Sequence, residues 1–206
     1  MSVKIKICGL SRPADIEAVN TAKPDYIGFV FAESKRKIKP EQAEVLRKLL
    51  SPDIIPVGVF VNEPAENIIS LVRTGIIDAV QFHGSESEEY MIKLKTKLKA
   101  KSIKDKIIIK AVSVRNPGDA QQWENSCADY LLTDHKGGGT GERFDWDMIG
   151  EIKKPYFLAG GLDIANIAEA VKLKPFALDI SSGVETNGFK DPVKIREFIR
   201  RIRNGY

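Results

Sequence analysis

The sequence predicts an α/β fold, a (β/α)8 TIM barrel that forms one compact domain over residues 1–206. Short apolar segments rich in β-branched residues alternate along the whole chain with segments of helical periodicity, one pair per roughly 25 residues. Strict βα alternation implies a parallel sheet covered by helices. Eight such units match a closed barrel, whereas an open doubly wound sheet, the alternative, usually has about five or six strands.

Each predicted element has its own signal. The strands are apolar and β-branched, and we expect them at residues 4–8, 26–31, 55–61, 79–82, 107–114, 129–133, 156–159 and 176–180. Several helices begin with proline or with an acidic first turn, as helix starts do. We expect helices at residues 13–21, 40–50, 64–74, 86–98, 119–124, 147–153, 164–172 and 192–203.

The composition is that of a globular protein outside the membrane. Hydrophobic residues make up 43% and charged residues 29% of the chain, both ordinary values. No apolar run approaches the roughly 20 residues needed to span a bilayer. Residues 1–4 lead into a strand rather than a signal peptide, and two cysteines, Cys8 and Cys127, suit a reducing compartment. We therefore expect a cytoplasmic protein with no membrane partner.

The charge indicates the class of partner. The chain has 32 basic and 28 acidic residues, a net charge of +4. The basic residues at 196–203 alternate with apolar ones at helical spacing, which is typical of a solvated helix face. We expect no nucleic-acid partner, and the mild positive bias suits a small anionic substrate.

Polar residues and glycines gather where the predicted strands end. In such barrels the active site forms at the C-terminal ends of the strands. Those positions hold Cys8-Gly9, Ser34 and Arg36, Asn62, His83-Gly84, Ser113, Asp134, Gly160-Gly161 and Ser181-Ser182-Gly183. Cys127 begins its strand and should lie at the opposite end from Cys8, so we expect no disulfide between them.

Two consecutive loops predict a phosphate site. Gly160-Gly161 follows the seventh strand, and Ser182-Gly183 lies just after the eighth. Barrels of this type often bind phosphate between these loops, because backbone N–H groups approach the anion closely. Ser182 adds a hydroxyl donor.

Cys8 and Asp134 are the candidate catalytic residues. Unpaired cysteines often act as small buried hydrophobic side chains, but a thiol where a strand passes into a glycine loop is placed for chemistry. Asp134 ends the sixth strand, where it either caps a turn or acts as a general acid across the mouth from a base.

Arg36 and His83 are candidate substrate-binding residues. The planar fork of Arg36 matches the two oxygens of a carboxylate, although the basic residues around it also fit an ordinary surface arginine. His83 either bonds a substrate group or satisfies a backbone carbonyl. His135 receives no role, and the glycine-rich segment 137–141 is either a lid over the pocket or a flexible turn.

Side-chain parity predicts an ion pair inside the barrel. Successive side chains of a strand alternate between faces, so Lys4, Lys6 and Cys8 should face the interior together with Asp179 of the eighth strand. Closure of the barrel brings Lys6 beside Asp179, and an interior charge needs a partner. Lys6 would favour a Cys8 thiolate, unless Asp179 neutralises the ammonium and leaves the thiol little changed.

Seven motifs occur in order along the chain. They are KICG from residue 6, SKRKI from 34, GVFVN from 58, QFHG from 81, FDW from 144, LAGGL from 158 and DISSGVE from 179. With them the chain resembles the phosphoribosylanthranilate isomerases of tryptophan biosynthesis. The chain departs from the family at Thr133, where an apolar residue usually precedes the acid, and at Phe82, where Leu is common.

The resemblance implies a cofactor-free barrel that converts N-(5-phosphoribosyl)anthranilate to 1-(2-carboxyphenylamino)-1-deoxyribulose 5-phosphate by an Amadori rearrangement. It implies that Cys8 is the general base, Asp134 the general acid and Arg36 the ligand of the anthranilate carboxylate. His83 would face the substrate. Gly160, Gly161, Ser182 and Gly183 correspond to the family's phosphate loops.

Other functions remain as alternatives. The phosphosugar isomerase of histidine biosynthesis resembles this chain but uses an Asp on the first strand, where this chain has Cys8. A catalytically silent phosphate-binding barrel is the other alternative. Two histidines make a metal site improbable. Both a monomer and a homodimer fit the sequence.

Overall fold

The computed structural model describes residues 3–103, 106–134 and 146–205. Within these residues eight parallel strands form a closed barrel, in which β8 pairs with β1. The strands are β1 (Lys4–Cys8), β2 (Tyr26–Val30), β3 (Ile55–Phe60), β4 (Ala79–Phe82), β5 (Ile107–Ser113), β6 (Tyr130–Asp134), β7 (Tyr156–Leu158) and β8 (Ala177–Ile180). The predicted (β/α)8 barrel is confirmed.

Helices cover the outside of the barrel. They are α1 (Pro13–Ala22), α2 (Pro40–Leu49), α3 (Ala65–Arg73), α4 (Glu88–Ala100), α5 (Ile167–Lys172) and α6 (Pro192–Asn204). Their starts follow ordinary capping rules: the hydroxyl of Ser87 accepts from the backbone of Tyr90, and Asp191 caps α6. No helix in the described part of the chain is both long and apolar enough to cross a membrane.

The predictions for the fifth and sixth helices were wrong. Short 3-10 turns at Gln121–Trp123 and Trp146–Ile149 take their places. Each segment offers about one turn before a break, which is too short to offset the unfavourable nucleation of an α-helix. Gly150 ends the second turn in the left-handed conformation, with φ 63°.

A small hairpin follows β8 and was not predicted. It consists of β9 (Glu185–Thr186) and β10 (Phe189–Lys190), which pair antiparallel. Asn187 and Gly188 connect them with φ values of 53° and 80°. An Asn-Gly pair is the usual signal for such a two-residue turn, so this hairpin was readable from the sequence.

The interior of the barrel is filled at its N-terminal end. The ring of Phe157 lies edge-on to Tyr26 at 5.4 Å and to Tyr130 at 5.5 Å, and Phe176 packs 5.6 Å from it. These aromatic side chains close the lower half of the barrel, so the open space that the described residues leave inside it lies at the C-terminal ends of the strands.

The predicted ion pair inside the barrel is confirmed. Lys6 lies opposite Asp179 in the β1–β8 register, and its Nζ is 2.8 Å from Oδ2 of Asp179. The Lys6 side chain is fully buried. Lys4, in contrast, is exposed at the N-terminal rim, where it pairs with Asp25 instead of facing the interior. It is the first residue of β1 and lies opposite Ala177 of β8, at the N-terminal edge of the barrel.

Replacement of Lys6 by methionine should lower the free energy of unfolding by about 3–5 kcal/mol, because it leaves a buried carboxylate without its cation. Chemical denaturation measures this value. The double variant Lys6→Met/Asp179→Leu removes both charges and should recover much of the loss. A single variant as stable as wild type, or a double variant less stable than the single, would contradict the pairing.

Candidate active site

A cleft opens at the C-terminal ends of the strands, with a volume of about 910 Å³ including its mouth. Of the predicted site residues, the cleft is lined by Cys8, Arg36, His83, Asp134, Gly160, Gly161 and Ser182. Gly183 does not line it. The structure thus brings together side chains from six different strands or the loops that follow them.

Cys8 ends β1 and turns its thiol into this cleft. Opposite it in the register is Gly28 of β2, and a Cβ atom at residue 28 would lie 2.6 Å from Sγ of Cys8. Gly28 therefore leaves the space that the thiol occupies. The backbone carbonyl of Cys8 accepts from the Ser181 hydroxyl at 2.9 Å, which ties β1 to the loop after β8. Sequence reasoning missed Gly28, because only the register reveals its contact.

Burial and nearby charges act in opposite directions on the pKa of the thiol. Burial raises the pKa of Cys8, the ammonium of Lys6 opposes this rise, and the carboxylate of Asp179 adds to it. The net direction is upward. Asp179 engages Lys6, as in the second of the two outcomes that the sequence left open, but the thiol is not left little changed, because burial raises its pKa.

His83 contacts Asp134 and was not predicted to do so. Its Nε2 lies 3.4 Å from Oδ2 of Asp134, and its Nδ1 lies 3.0 Å from Nε2 of Gln81. These two contacts hold the imidazole ring between the Gln81 amide and the Asp134 carboxyl group. The backbone-carbonyl alternative for His83 is therefore wrong. Gln81, which is buried, was missed as the residue that orients the ring.

Arg36 is held in the cleft by a second residue that sequence reasoning missed. Its Nε and Nη2 donate to the two carboxylate oxygens of Glu185 at 2.7 and 3.0 Å. A Cβ atom at Gly9 would lie 2.3 Å from Cδ of Arg36, so the arginine crosses directly over this glycine. Arg36 is only 10% exposed. The surface-arginine interpretation is therefore wrong.

The loops after β7 and β8 form one wall of the cleft. Gly160 and Gly161 both have left-handed backbones, with φ values of 83° and 67°, which other residues rarely adopt. Asn166 holds the loop, because its Nδ2 donates to the carbonyl of Gly161 at 2.7 Å. A Cβ atom at Gly183 would lie 2.0 Å from the carbonyl oxygen of Leu162, so the two loops touch at this point. Gly183 thus supports the wall from behind.

Replacement of Gly183 by alanine should separate these loops and weaken phosphate binding at least about ten-fold, because the new methyl group overlaps a backbone carbonyl. Competitive inhibition by inorganic phosphate, together with KM, measures the effect. Gly75→Ala is the control: its backbone, unlike that of Gly183, is left-handed with φ 73°, but nothing lies within 4 Å of the added Cβ atom, so it introduces backbone strain without an overlap. Unchanged phosphate inhibition in Gly183→Ala would show that the contact is not needed.

The segment 137–141, predicted as a lid or a turn, lies outside the described residues, as does His135. Among the residues that the structure describes, no group of three or more His, Cys, Asp or Glu side chains could hold a metal ion. Both cysteines are free, which confirms that Cys8 and Cys127 form no disulfide.

Comparisons with known proteins agree on one family. Residues 5–201 match the sequence model of the family described as N-(5'phosphoribosyl)anthranilate (PRA) isomerase. The N-(5'-phosphoribosyl)anthranilate isomerase of Endomicrobium trichonymphae is 48% identical, and that of Thermoanaerobacter pseudethanolicus is 47% identical. Each alignment covers 98% of both chains.

Solved structures agree as well. The phosphoribosyl anthranilate isomerase of Thermus thermophilus superposes with a TM-score of 0.86 at 30% identity, covering 98% of this chain and 99% of that one. A phosphoribosyl anthranilate isomerase in complex with reduced 1-(o-carboxyphenylamino)-1-deoxyribulose 5-phosphate gives a TM-score of 0.81 at 35% identity, covering 98% and 100%. Monomers of the dimeric enzyme from Thermotoga maritima superpose with a TM-score of 0.82 at 36% identity, covering 98% of this chain and 100% of that one.

Proposed function

The chain belongs to the phosphoribosylanthranilate isomerase family and is an isomerase of tryptophan biosynthesis, and we propose that Cys8 and Asp134 perform its chemistry as general base and general acid. The reaction converts N-(5-phosphoribosyl)anthranilate to 1-(2-carboxyphenylamino)-1-deoxyribulose 5-phosphate. The observation that carries the assignment of residues is that one cleft contains a thiol, a carboxyl group and groups suited to two anions.

The substrate has an anion at each end. Its phosphate binds at the wall formed by Gly160, Gly161 and Ser182, where left-handed glycines let backbone N–H groups approach the anion. Its carboxylate binds the guanidinium of Arg36, whose Nη1 has no acceptor among the described residues. Binding both ends fixes the sugar between Cys8 and Asp134, which lowers the entropic part of the barrier.

The first step is ring opening. Asp134 donates a proton to the furanose ring oxygen as the C1′–O bond breaks, and the nitrogen lone pair forms the C1′=N bond of a protonated Schiff base. This leaves Asp134 as a carboxylate. Nε2 of His83 lies 3.4 Å from that carboxylate, and we assign to His83 the stabilisation of its negative charge.

The second step moves the double bond. The Cys8 thiolate removes the proton from C2′, and the C2′–H electron pair becomes the C1′=C2′ double bond of an enolamine, while the Schiff base becomes an amine. Return of a proton to C1′ and loss of the enol proton give the ketone. These proton transfers need no redox or metal cofactor.

Two alternatives predict different behaviour. A histidine-pathway isomerase would turn over the aminoaldose phosphate of that pathway, and a silent barrel would bind phosphate without turnover. The thiol at Cys8 opposes the first, because the expected base there is an aspartate. Two assays with wild-type protein separate the three: the loss of phosphoribosylanthranilate fluorescence, and turnover of the aminoaldose phosphate of the histidine pathway. We expect turnover of phosphoribosylanthranilate and not of the histidine-pathway substrate, and no turnover would refute the assignment.

The remaining predictions on partners stay predictions. A small anionic substrate fits the cleft described above, and the expected absence of a nucleic-acid partner is untested. The chain is expected to be a monomer or a homodimer, and one related enzyme is described as dimeric.

A further inference from the structure

Three buried charges lie next to each other at the carboxylate end of the cleft. Glu185 accepts two hydrogen bonds from Arg36, and its Oε1 also accepts one from Nζ of Lys190 at 2.7 Å. The side chains of Arg36, Glu185 and Lys190 are 10%, 6% and 1% exposed. Electrostatic interactions among them are therefore only weakly screened by water.

Arg36 and Lys190 each carry a positive charge and Glu185 carries a negative one, so this triad has a net charge of +1. If Lys190 were neutral, Glu185 would cancel the charge of Arg36, and a substrate carboxylate would meet a neutral pair. With Lys190 present, Glu185 is shared between two cations. The arginine then remains a net positive group at the position where an anion must bind.

Lys190 occupies a fixed position. Besides Glu185, its Nζ donates to the backbone carbonyl of Ser181 at 2.9 Å and contacts the Ser181 hydroxyl at 3.3 Å. The backbone of Glu185 is held separately by Nζ of Lys194, which donates to its carbonyl at 2.7 Å. The hairpin of β9 and β10 thus carries both Glu185 and Lys190 from the end of β8 to the side of Arg36.

We propose that Lys190 is a positioning residue for recognition of the substrate carboxylate: its buried ammonium balances Glu185, so that Glu185 orients Arg36 without cancelling its charge. This inference rests on the proposed role of Arg36 in binding that carboxylate. Lys190 does not touch the substrate in this scheme. It acts through Glu185 and Arg36.

The test uses equilibrium binding, which is independent of Cys8 chemistry. The ligands are reduced 1-(o-carboxyphenylamino)-1-deoxyribulose 5-phosphate, which has both anions, and inorganic phosphate, which reports the phosphate end alone. Lys190→Met should weaken the first ligand roughly ten-fold and leave the second unchanged. Lys190→Met/Glu185→Gln removes both charges and should recover most of the lost affinity.

Lys154→Met is the matched control, because it removes a lysine whose Nζ also donates to backbone carbonyls, those of Ser126 and Ala128, at the opposite end of the barrel; it should bind both ligands as wild type does. Equal weakening of both ligands by Lys190→Met would overturn the inference, since it would indicate a structural role at the loop of Ser181. A double variant no better than the single would also overturn it. Arg36→Met tests the carboxylate assignment on which this inference rests. If this variant binds the analogue as tightly as wild type, both the carboxylate assignment and this inference are wrong.

Discussion

Replacement of Cys8 by serine is expected to lower kcat by about 10²–10⁴-fold with little change in KM, because a hydroxyl group is far too weak an acid to supply the base. Serine and cysteine are almost the same size, so the contact of residue 8 with Gly28 should persist and the anion sites should be unchanged. Steady-state kinetics with phosphoribosylanthranilate measures both constants.

Cys127→Ser is the matched control for this variant. Cys127 is the second thiol of the chain, and it lies just before β6 at the opposite end of the barrel. It should keep wild-type kinetics. If Cys8→Ser retained more than about a tenth of the wild-type kcat, another group would have to be the base.

The pH dependence follows from the raised pKa of Cys8. Burial favours the neutral thiol over the thiolate, and the opposing ammonium of Lys6 does not reverse this. Since the thiolate is the active form, its fraction and kcat/KM should rise with pH through neutrality. We expect no plateau below about pH 8.5, the ordinary thiol value. The rate of alkylation of Cys8 by iodoacetamide, measured against pH in a Cys127→Ser background, should rise in the same way without substrate. A plateau of either rate below pH 7 would contradict the raised pKa of Cys8.

Replacement of Asp134 by asparagine should have a comparably large effect, a fall in kcat of about 10²–10⁴-fold. The amide has the same shape and keeps its place beside His83, but it does not donate an acid proton to the ring oxygen. Asp129→Asn is the control, because Asp129 precedes the same strand at the far end of the barrel and binds the backbone N–H of Ile108. A fully active Asp134→Asn enzyme would mean that another acid opens the ring.

Deuterium at C2′ separates the two roles. In Cys8→Ser the removal of the C2′ proton becomes limiting, so the rate should show a primary isotope effect. In Asp134→Asn ring opening becomes limiting, and the isotope effect should approach one. The reverse pattern would exchange the assignments of base and acid.

Much of the candidate site was predictable because it depends on local pattern. Alternation of apolar segments defined the strands, and their ends located Cys8, Asp134 and the two glycine loops. Strand parity together with barrel closure was enough to pair Lys6 with Asp179, although these residues lie 173 positions apart. Regular strands transmit register over any sequence distance, since each residue on one strand has a defined neighbour on the next.

Only the tertiary structure decided the contacts made beyond the strand ends. Loops have no fixed period, so nothing local indicated that Glu185 would reach Arg36, 149 positions away, or that His83 would turn to Asp134. The direction of the pKa shift of Cys8 was not predictable from the sequence either, because it depends on the balance between burial and two opposing neighbours at short range. The sequence by itself determined the barrel and the end of it that carries the chemistry. The folded structure decided which charges meet there, because strengths of buried electrostatic interactions depend on distances that only the packed loops set.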